Sequence, residues 1–218
     1  MADSDLARTK MVDGQVRPSD VTDYRIIDAM LDIPREEFVP SAQRALAYSD
    51  LPISLGASGR AMLMPRVLAM MIQAADILPG DVVLDLGCGT GYSTAVIARL
   101  ASSVVALEED AALAAFATSA LQDLGIDNAA VVEGPLAAGY EAEGPYDVII
   151  VEGAVEILPD TITDQLKDGG RLLVIEGRGL SARAMLYVRS GDDVSGRIVM
   201  NAAAPLLPGF AKEEEFVF

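Results

Sequence analysis

The sequence predicts an α/β fold of the Rossmann-like type, with a doubly wound, mostly parallel sheet and an antiparallel C-terminal edge. Between residues 81 and 177, five short runs rich in Val, Ile and Leu alternate with segments of helical pattern. Such near-continuous apolar runs are typical of parallel strands that are covered on both faces. Beyond residue 181, two β-like segments are separated only by a short polar stretch, which predicts an antiparallel pair at one edge of the sheet.

The N-terminal part of the chain predicts a cap of helices and loops. Residues 20–32 place apolar side chains at helical spacing, and Ser19 or Asp20 is available as the N-cap. Residues 38–65 mix Pro, Gly and Ser with short apolar pieces. This mixture favours loops, with one short helix near residues 41–47.

The core begins with a helix and continues with alternating strands and helices. Pro65 stands in a first-turn position and Gly80 follows the apolar segment, which is the order expected for a helix. The predicted strands are 81–87, 103–109, 129–134, 146–153 and 171–177, the predicted helices are 92–100, 111–125 and one within 158–170, and the antiparallel pair is 182–190 and 195–202. We expect a single domain, in which residues 1–64 form the cap and residues 65–218 form the core.

Composition argues against several classes of partner. The 218 residues include 33 acidic and 16 basic ones, for a formal charge of −17, and this negative field opposes binding to nucleic acid or anionic lipid. No apolar run reaches the roughly 18 residues that a membrane-spanning helix needs, and "MADSDLARTK" contains no signal-peptide core. We therefore expect a cytoplasmic protein with no nucleic-acid or membrane partner, and the sequence leaves its oligomeric state open.

The lack of histidine limits the chemistry. The chain has one cysteine, Cys88, and no histidine, so zinc sites built from His or Cys clusters and catalytic triads that use His are excluded. We expect no metal site. Any reaction must use carboxylates, hydroxyls, backbone amides or a cofactor.

A glycine-rich turn follows the first predicted strand of the core. In "VVLDLGCGTGYST" (82–94), three glycines stand at every second position. At this place in a doubly wound sheet the backbone approaches a ligand closely. The dinucleotide fingerprint needs its third glycine at position 92, where this chain has Tyr92, so the tighter turn favours S-adenosylmethionine. The cofactor would lie against Gly87, Cys88, Gly89, Thr90, Gly91 and Tyr92.

Acidic residues beside this turn are further candidates for cofactor binding. Glu108 ends the second strand, 21 positions after Gly87, where a carboxylate is expected to accept hydrogen bonds from ribose hydroxyls. Its alternative role is to stabilise the dipole of the following helix, a role that we assign to the neighbouring Glu109. Asp85 lies inside an apolar strand, where an unpaired carboxylate is costly, so we expect it to serve the cofactor or to order the turn. The Cys88 thiol is expected to fill space.

Several motifs stand in a fixed order on both sides of the turn. "IPREEFVP" (33–40) and "AYSDLPI" (47–53) precede it, and "YDVIIV", "ILP" and "LKDGGRL" follow it. Together they resemble the protein-L-isoaspartate O-methyltransferase family over about residues 10–177. The resemblance implies a class I methyltransferase that uses S-adenosylmethionine to esterify the free carboxylate of L-isoaspartyl and D-aspartyl residues in damaged proteins. Peptides or proteins that contain isoaspartyl residues are then the expected partners.

This reaction suits a chain without histidine. A carboxylate has a pKa of about 4, so the nucleophile is already ionised at neutral pH and no general base has to form it. The protein then has to bring the carboxylate oxygen to within about 3 to 3.5 Å of the methyl carbon in a dry pocket.

The chain departs from the family pattern on the acceptor side. Aligned on Pro65, it has Leu63 where the family has a serine beside the acceptor carboxylate. Ser58 and Arg60 stand nearby, and Arg60 is either a holder of the substrate carboxylate or a solvated loop arginine. Glu152 replaces small or hydroxyl residues and would repel an anionic acceptor. Either Glu152 is paired, with Arg60 as the candidate partner, or the acceptor is different.

A further departure lies at the expected position of the adenine. After the third strand the family has an aspartate, whereas this chain has Pro135 in "EGPL" (133–136). Either Glu133 or the backbone from Gly134 to Leu136 compensates for the aspartate, or the adenine binds less tightly.

Three hypotheses about function follow. The first is repair-type carboxyl methylation of isoaspartyl peptides. The second keeps the cofactor but has a small-molecule acceptor, for which Glu152 would act as a base. The third is a catalytically silent module that binds the cofactor or a protein partner, because fold alone does not fix function.

Overall fold

The computed structural model describes residues 2–56 and 59–212, and a seven-stranded sheet forms its centre. The strands are β1 Ile53–Ser54, β2 Ala61–Met62, β3 Val82–Leu86, β4 Ser103–Glu108, β5 Ala129–Glu133, β6 Tyr146–Val155, β7 Leu166–Glu176, β8 Arg183–Ser190 and β9 Asp193–Asn201. The central sheet has the order β5-β4-β3-β6-β7-β8-β9. Its first five strands are parallel, whereas β8 and β9 are antiparallel to their neighbours. The predicted fold class is confirmed, including the antiparallel edge.

The N-terminal segment is helical, although the sequence pattern did not predict it. The α-helices are α1 Ala2–Met11, α2 Tyr24–Asp32, α3 Pro65–Ala75, α4 Tyr92–Ala98, α5 Ala111–Asp123 and α6 Asp160–Thr163. α1 continues directly into a π-helical turn over Val12–Val16. Most residues of α1 are polar, so no apolar stripe marks it in the sequence. Its end is anchored because Met11, Val12 and Val16 are buried.

The predicted start of α2 is wrong by about one turn. Neither Ser19 nor Asp20 is the N-cap, since Asp20 has a left-handed backbone with φ of 61° at the end of a short 3-10 helix. The helix begins at Tyr24, where the Asp23 carboxylate accepts a hydrogen bond from the Arg25 N–H at 2.9 Å. An aspartate at this position satisfies one of the free N–H groups of the first turn.

Two other helix ends also differ from the prediction. α3 ends at Ala75, and the left-handed residue that follows it is Asp76, with φ of 48°, rather than Gly80. The N-cap of α5 is Asp110, whose carboxylate accepts hydrogen bonds from two backbone N–H groups of the first turn. Glu109, which we assigned to this cap, does not perform that role.

The segment before the fifth predicted strand is more extended than expected. The helix predicted within residues 158–170 covers only Asp160–Thr163, and β7 already begins at Leu166, paired with Tyr146 of β6. The side chain of Gln165 explains the early end of the helix. It donates to two backbone carbonyls and accepts from the Tyr140 N–H, which ties the chain to the neighbouring loop.

The region before α3 contains a small hairpin as well as the expected short helix. A 3-10 helix covers Ser41–Leu46. β1 and β2 then pair antiparallel, and the Leu55 N–H donates to the Arg60 carbonyl at 2.9 Å. This hairpin places Leu55 and Arg60 at the carboxyl edge of the central sheet.

After β9 the chain returns to the carboxyl end of β6. The Ala154 N–H donates to the Pro205 carbonyl at 2.8 Å, and the Leu207 N–H donates to the Ala154 carbonyl at 2.9 Å. β3 pairs with β6 only as far as Leu86 and Val151. The returning segment therefore takes the place beside β6 that β3 leaves when it enters the glycine turn. Within residues 2–56 and 59–212, no helix is long and apolar enough to cross a bilayer.

Candidate functional site

The ends of three parallel strands form the candidate site. β3 lies between β4 and β6, and Asp85 of β3 is level with Ala106 and Ile150 of these neighbours. Because parallel strands end at one edge of the sheet, the glycine turn, Glu108 and Glu152 are brought together there.

The glycine turn is held open by its backbone conformation. Gly87, Gly89 and Gly91 all have positive φ, at 79°, 58° and 93°. The N–H groups of Gly87 and Cys88 both donate to the Leu107 carbonyl, at 2.8 and 3.2 Å, which fixes the turn to the end of β4. A side chain at Gly91 would lie 3.1 Å from the Cβ atom of Ala117 in α5. The turn is therefore a rigid backbone cradle at the start of α4.

Asp85 orders the start of α4 from below. It is fully buried, and its Oδ2 atom accepts hydrogen bonds from Ser93 Oγ at 2.8 Å and Thr94 Oγ1 at 2.6 Å. Its Oδ1 atom and the Thr90 hydroxyl have no hydrogen-bond partner in the part of the chain that the structure describes. Burial raises the pKa of Asp85 to about 6, against the two hydroxyl donors, which lower it.

Glu108 is the most fully bonded carboxylate of the site. Its Oε1 atom accepts from the N–H groups of Glu109 and Asp110, at 2.9 and 3.0 Å, and from the Arg60 Nη1 atom at 2.7 Å. Its Oε2 atom accepts from the Gly89 N–H at 2.8 Å. An ionised carboxylate has about two acceptor positions on each oxygen, so Oε1 is fully occupied and Oε2 keeps one position.

Arg60 lies inside the site rather than on a solvated loop. Its side chain is 3 % exposed, and its Nη2 atom donates to the Gly87 carbonyl at 2.7 Å. From the sequence, Arg60 was the candidate partner of Glu152. The structure instead pairs Arg60 with Glu108, and within residues 2–56 and 59–212 the Glu152 Oε1 atom has no hydrogen-bond partner.

The acceptor side contains a second group of buried polar side chains. Glu152 is 7 % exposed, and burial together with the charge of Asp85 raises its pKa well above the usual range, which favours the neutral acid. It shares a small cavity with Arg35, Leu63 and Tyr92. We call Arg35, Tyr92 and Glu152 the acceptor-side cluster.

Arg35 is a member of this cluster that sequence analysis did not identify. Its guanidinium is fully buried 4.5 Å from the Tyr92 ring centroid, where it makes a cation–π contact. Its Nε and Nη2 atoms donate to the carbonyls of Ala47 and Leu63, at 2.9 and 2.7 Å. Leu63 thus contributes a backbone carbonyl at the position where the family resemblance predicts a serine. Among the described residues, the Arg35 Nη1 atom and the Tyr92 hydroxyl have no hydrogen-bond partner of normal geometry, although the nearby Arg35 charge opposes the burial that raises the pKa of Tyr92.

The remaining candidates lie at or near the same edge. Cys88 is buried, and burial raises the pKa of its thiol well above the ordinary value, which disfavours a nucleophilic thiolate. Beyond β5, the Gly134 N–H donates to the Glu108 carbonyl at 3.1 Å, and Glu109 accepts from the Leu136 N–H at 3.3 Å on the far side of Pro135. Ser58 lies outside the described residues. Over the described ranges, no group of three or more side chains could hold a metal ion.

The space above the glycine turn is small. The cavity between the turn and the hairpin residues measures about 20 Å³, which is about one water molecule. Leu55 fills it from one side, since a Cβ atom on Gly89 would lie 2.7 Å from the Leu55 side chain. Leu207 lies over Gly87 and Gly153, at 3.5 and 2.6 Å from the corresponding Cβ positions.

The strand order, the glycine turn and the carboxylate after β4 define a class I methyltransferase fold. The family model for protein-L-isoaspartate(D-aspartate) O-methyltransferase matches residues 7–205. A protein-L-isoaspartate O-methyltransferase of Koribacter versatilis is 41 % identical over 174 residues, which cover 79 % of this chain and 77 % of the relative. That of Protochlamydia amoebophila is 35 % identical over 203 residues, 93 % and 96 % of the two chains. This chain belongs to the protein-L-isoaspartate O-methyltransferase family.

Solved structures agree with this assignment. One protein-L-isoaspartate O-methyltransferase superposes with a TM-score of 0.82 at 30 % identity, over 93 % of this chain and 66 % of the solved one. A second, from Plasmodium falciparum, was solved in complex with S-adenosyl-L-homocysteine and superposes with a TM-score of 0.76. At 19 % identity, over 91 % of this chain and 96 % of that one, it supports the fold alone.

Proposed function

We propose that this protein transfers the methyl group of S-adenosylmethionine to the free carboxylate of L-isoaspartyl and D-aspartyl residues in damaged proteins. The observation that carries this proposal is the family match over residues 7–205, which includes both the glycine turn and the acceptor-side cluster. We further propose the cytoplasm as its location and isoaspartyl proteins, rather than nucleic acid, as its partners, in line with the formal charge of −17.

The residues around the turn are of the type that the cofactor needs. The three left-handed glycines allow a ligand to approach the backbone closely. In this proposal Glu108 accepts hydrogen bonds from the ribose hydroxyls, and the backbone near Gly134 and Pro135 borders the adenine. Asp85 Oδ1 and the Thr90 hydroxyl, which have no partner, supply further polar contacts. When bound, the cofactor supplies an electrophilic methyl group on a sulfonium.

The acceptor-side cluster removes an objection to an anionic substrate. An ionised Glu152 would repel the acceptor carboxylate, but burial favours its neutral form. A neutral Glu152 donates a hydrogen bond to a carboxylate instead of repelling it. Arg35 Nη1 and the Tyr92 hydroxyl provide two more unused donors. We assign substrate positioning to Glu152 and to the residues beside Leu63, and Ser58 and Arg60 stay predicted acceptor residues.

The reaction needs no general base from this chain. The acceptor carboxylate is ionised at neutral pH, because its ordinary pKa is about 4. The chain contributes orientation and the exclusion of water, and the apolar side chains of Leu55 and Leu207 favour a dry site.

A direct assay tests the proposal. Purified protein is incubated with S-adenosylmethionine labelled on its methyl group and with a peptide that contains one isoaspartyl residue. The expected product is a base-labile methyl ester, which the matched peptide with normal aspartate does not form. If calorimetry shows cofactor binding but no ester forms, the isoaspartyl acceptor is wrong and small-molecule acceptors become the hypothesis to test.

A further inference from the structure

We propose that Arg60 is an internal competitor of the cofactor, which occupies the nucleoside-binding carboxylate and lowers the affinity for S-adenosylmethionine until its side chain withdraws. This inference rests on the proposed function, because it concerns the cofactor of that reaction. It goes further by assigning an affinity-setting role to Arg60, which the sequence predicted as a holder of the substrate carboxylate, a partner of Glu152 or a solvated loop arginine.

The bonding of the guanidinium carries the first step. One Arg60 side chain bridges two acceptors that face the ligand space, the Glu108 Oε1 atom and the Gly87 carbonyl, both at 2.7 Å. With Arg60 in place, the Oε1 atom accepts from three donors and the Oε2 atom from one, so a sugar hydroxyl meets a carboxylate that is already largely occupied. A nucleoside that bonds to Glu108 therefore competes with Arg60 for this carboxylate.

The Arg60 side chain also occupies space that a ligand on the glycine turn would need. The Arg60 Nη2 atom lies 3.0 Å from the position of a Cβ atom on Gly87, directly against the backbone that a ligand would contact. The cavity that Gly87 and Gly89 line together with Leu55 and the acceptor-side cluster holds about 20 Å³, whereas pockets for small ligands measure about 300 to 1,000 Å³. The glycines therefore form a cradle that is already occupied by side chains of this chain.

The carboxylate does not depend on Arg60 alone. Three backbone N–H groups, those of Gly89, Glu109 and Asp110, continue to donate to Glu108 when the guanidinium is absent. Hydrogen bonds to the ionised form stabilise a buried carboxylate. A variant that lacks the Arg60 charge is therefore expected to fold, with Glu108 still oriented toward the ligand space.

The expected change in cofactor affinity depends on how often Arg60 leaves Glu108. The apparent dissociation constant of a ligand rises in inverse proportion to the fraction of molecules in which its site is free. If Arg60 leaves Glu108 in about one molecule in ten, the apparent affinity falls about tenfold. Removing the guanidinium should restore that factor.

Titration calorimetry with S-adenosyl-L-homocysteine measures this directly. We compare the wild-type protein with Arg60→Met, which keeps an unbranched side chain without the charge, and with Arg66→Met as the matched control. Arg66 belongs to the same region but pairs with Asp50 at the surface. Arg60→Met should bind about tenfold more tightly or better, in line with the same arithmetic, and Arg66→Met should bind like the wild type.

Arg60→Lys provides a second, more conservative variant. A lysine keeps the charge beside Glu108 but has a compact ammonium that lacks the planar fork needed to bridge Glu108 and the Gly87 carbonyl. Its affinity should lie between those of the wild type and Arg60→Met. Circular dichroism establishes that each variant is folded, and if Arg60→Met does not fold, Arg60→Lys alone decides the outcome.

The outcomes separate this inference from the proposed function. If Arg60→Met and Arg60→Lys bind no more tightly than a wild-type protein that forms the methyl ester, the competitor role is wrong and the proposed function stands. If the Arg60 variants bind more tightly but no protein forms the ester, the competitor role is supported and the isoaspartyl reaction fails. If no protein binds the ligand at all, both are wrong.

Discussion

The Glu108 network and the acceptor-side cluster treat their buried polar groups in opposite ways. Three backbone N–H groups and Arg60 donate to the Glu108 carboxylate. In the acceptor-side cluster, Glu152 Oε1, Arg35 Nη1 and the Tyr92 hydroxyl are buried without a hydrogen-bond partner of normal geometry among the described residues. Satisfied buried networks make a site rigid, whereas unsatisfied buried groups raise the free energy of the empty state and favour ligand binding. The contrast suggests that cofactor has to displace an existing partner, while acceptor meets groups that have none.

The largest expected effect comes from breaking the Glu108 network. Glu108→Ala removes the acceptor of three backbone N–H groups and of the Arg60 guanidinium. Each buried donor left without a partner costs about 1 to 3 kcal/mol, so the free energy of unfolding should fall by about 3 to 5 kcal/mol even where Arg60 withdraws into solvent. Urea denaturation followed by circular dichroism measures it. Asp50→Ala, which breaks an exposed arginine pair, is the control and should cost less than about 1 kcal/mol. Equal losses in both variants would show that the Glu108 network is not special.

The second effect concerns the Asp85 carboxylate. The pKa of Asp85 is raised from 3.8 to about 6, so the folded protein holds this proton more tightly than the unfolded chain. The contribution of Asp85 to the free energy of unfolding is therefore present in full below about pH 4. As the pH rises to about 6, the protein loses roughly 3 kcal/mol of this stability in total. Asp85→Asn lacks this titration. The difference in unfolding free energy between variant and wild type should grow in favour of the variant from pH 4 to 6.5, as measured by urea denaturation. A difference that stays constant over this range would contradict the raised pKa.

The third effect concerns the electrostatic repulsion between the carboxylates of Asp85 and Glu152. Each charge raises the cost of ionising its neighbour, and the charge of Asp85 is one cause of the raised pKa of Glu152. At a pH high enough to ionise both groups, Asp85→Asn and Glu152→Gln should each raise the free energy of unfolding relative to the wild type, because each removes a buried charge. The double variant should be stabilised by less than the sum of the two single effects, by about 0.5 to 3 kcal/mol. Either substitution alone already removes the repulsion between the two charges. A double-mutant cycle measures this coupling. Asp193→Asn at the distant β9 edge serves as the control partner, and additivity in both cycles would refute the coupling.

The smallest effect should occur on the acceptor side. Over the described residues the Tyr92 hydroxyl has no hydrogen-bond partner of normal geometry, and the Arg35 cation–π contact uses the ring, so Tyr92→Phe leaves no buried group newly unsatisfied. We expect the free energy of unfolding to change by less than about 0.5 kcal/mol, while the KM for an isoaspartyl peptide rises more than kcat changes. Thermal or urea denaturation and steady-state kinetics measure the two quantities. A loss above about 1.5 kcal/mol would indicate that the hydroxyl makes a structural hydrogen bond, and the proposed contrast would then be wrong.

The parts of the site that the sequence predicts are local in the chain. The glycine spacing and the carboxylate at the end of the second strand lie within one β-α-β unit, so their relation follows from chain order. The ion pair between Arg60 and Glu108 joins residues that are 48 positions apart in the chain. Arg60 lies in a hairpin whose Pro and Gly content predicts a loop. The motif that contains Arg35 was visible, but nothing in its composition shows that this arginine is buried against Tyr92.

The predicted and observed helices differ where contacts between distant parts of the chain decide the local structure. α1 is mostly polar along its length and is anchored at its end by Met11 and the apolar residues that follow, a signal too short for periodicity. The expected helix within residues 158–170 fails because the side chain of Gln165 bonds to a loop distant in sequence. Both cases show tertiary contacts overriding local preference.

The returning segment that carries Leu207 has a consequence for how the protein is made. Pro205 and Leu207 form backbone hydrogen bonds with Ala154, and Leu207 lies over Gly87. One side of the site is therefore covered by a segment that is synthesised long after the glycine turn. A chain that ends before residue 207 lacks this contact over Gly87, although Leu55 and Arg60, which precede the turn, still cover it from the other side. The site therefore receives its complete cover only when the returning segment has been synthesised.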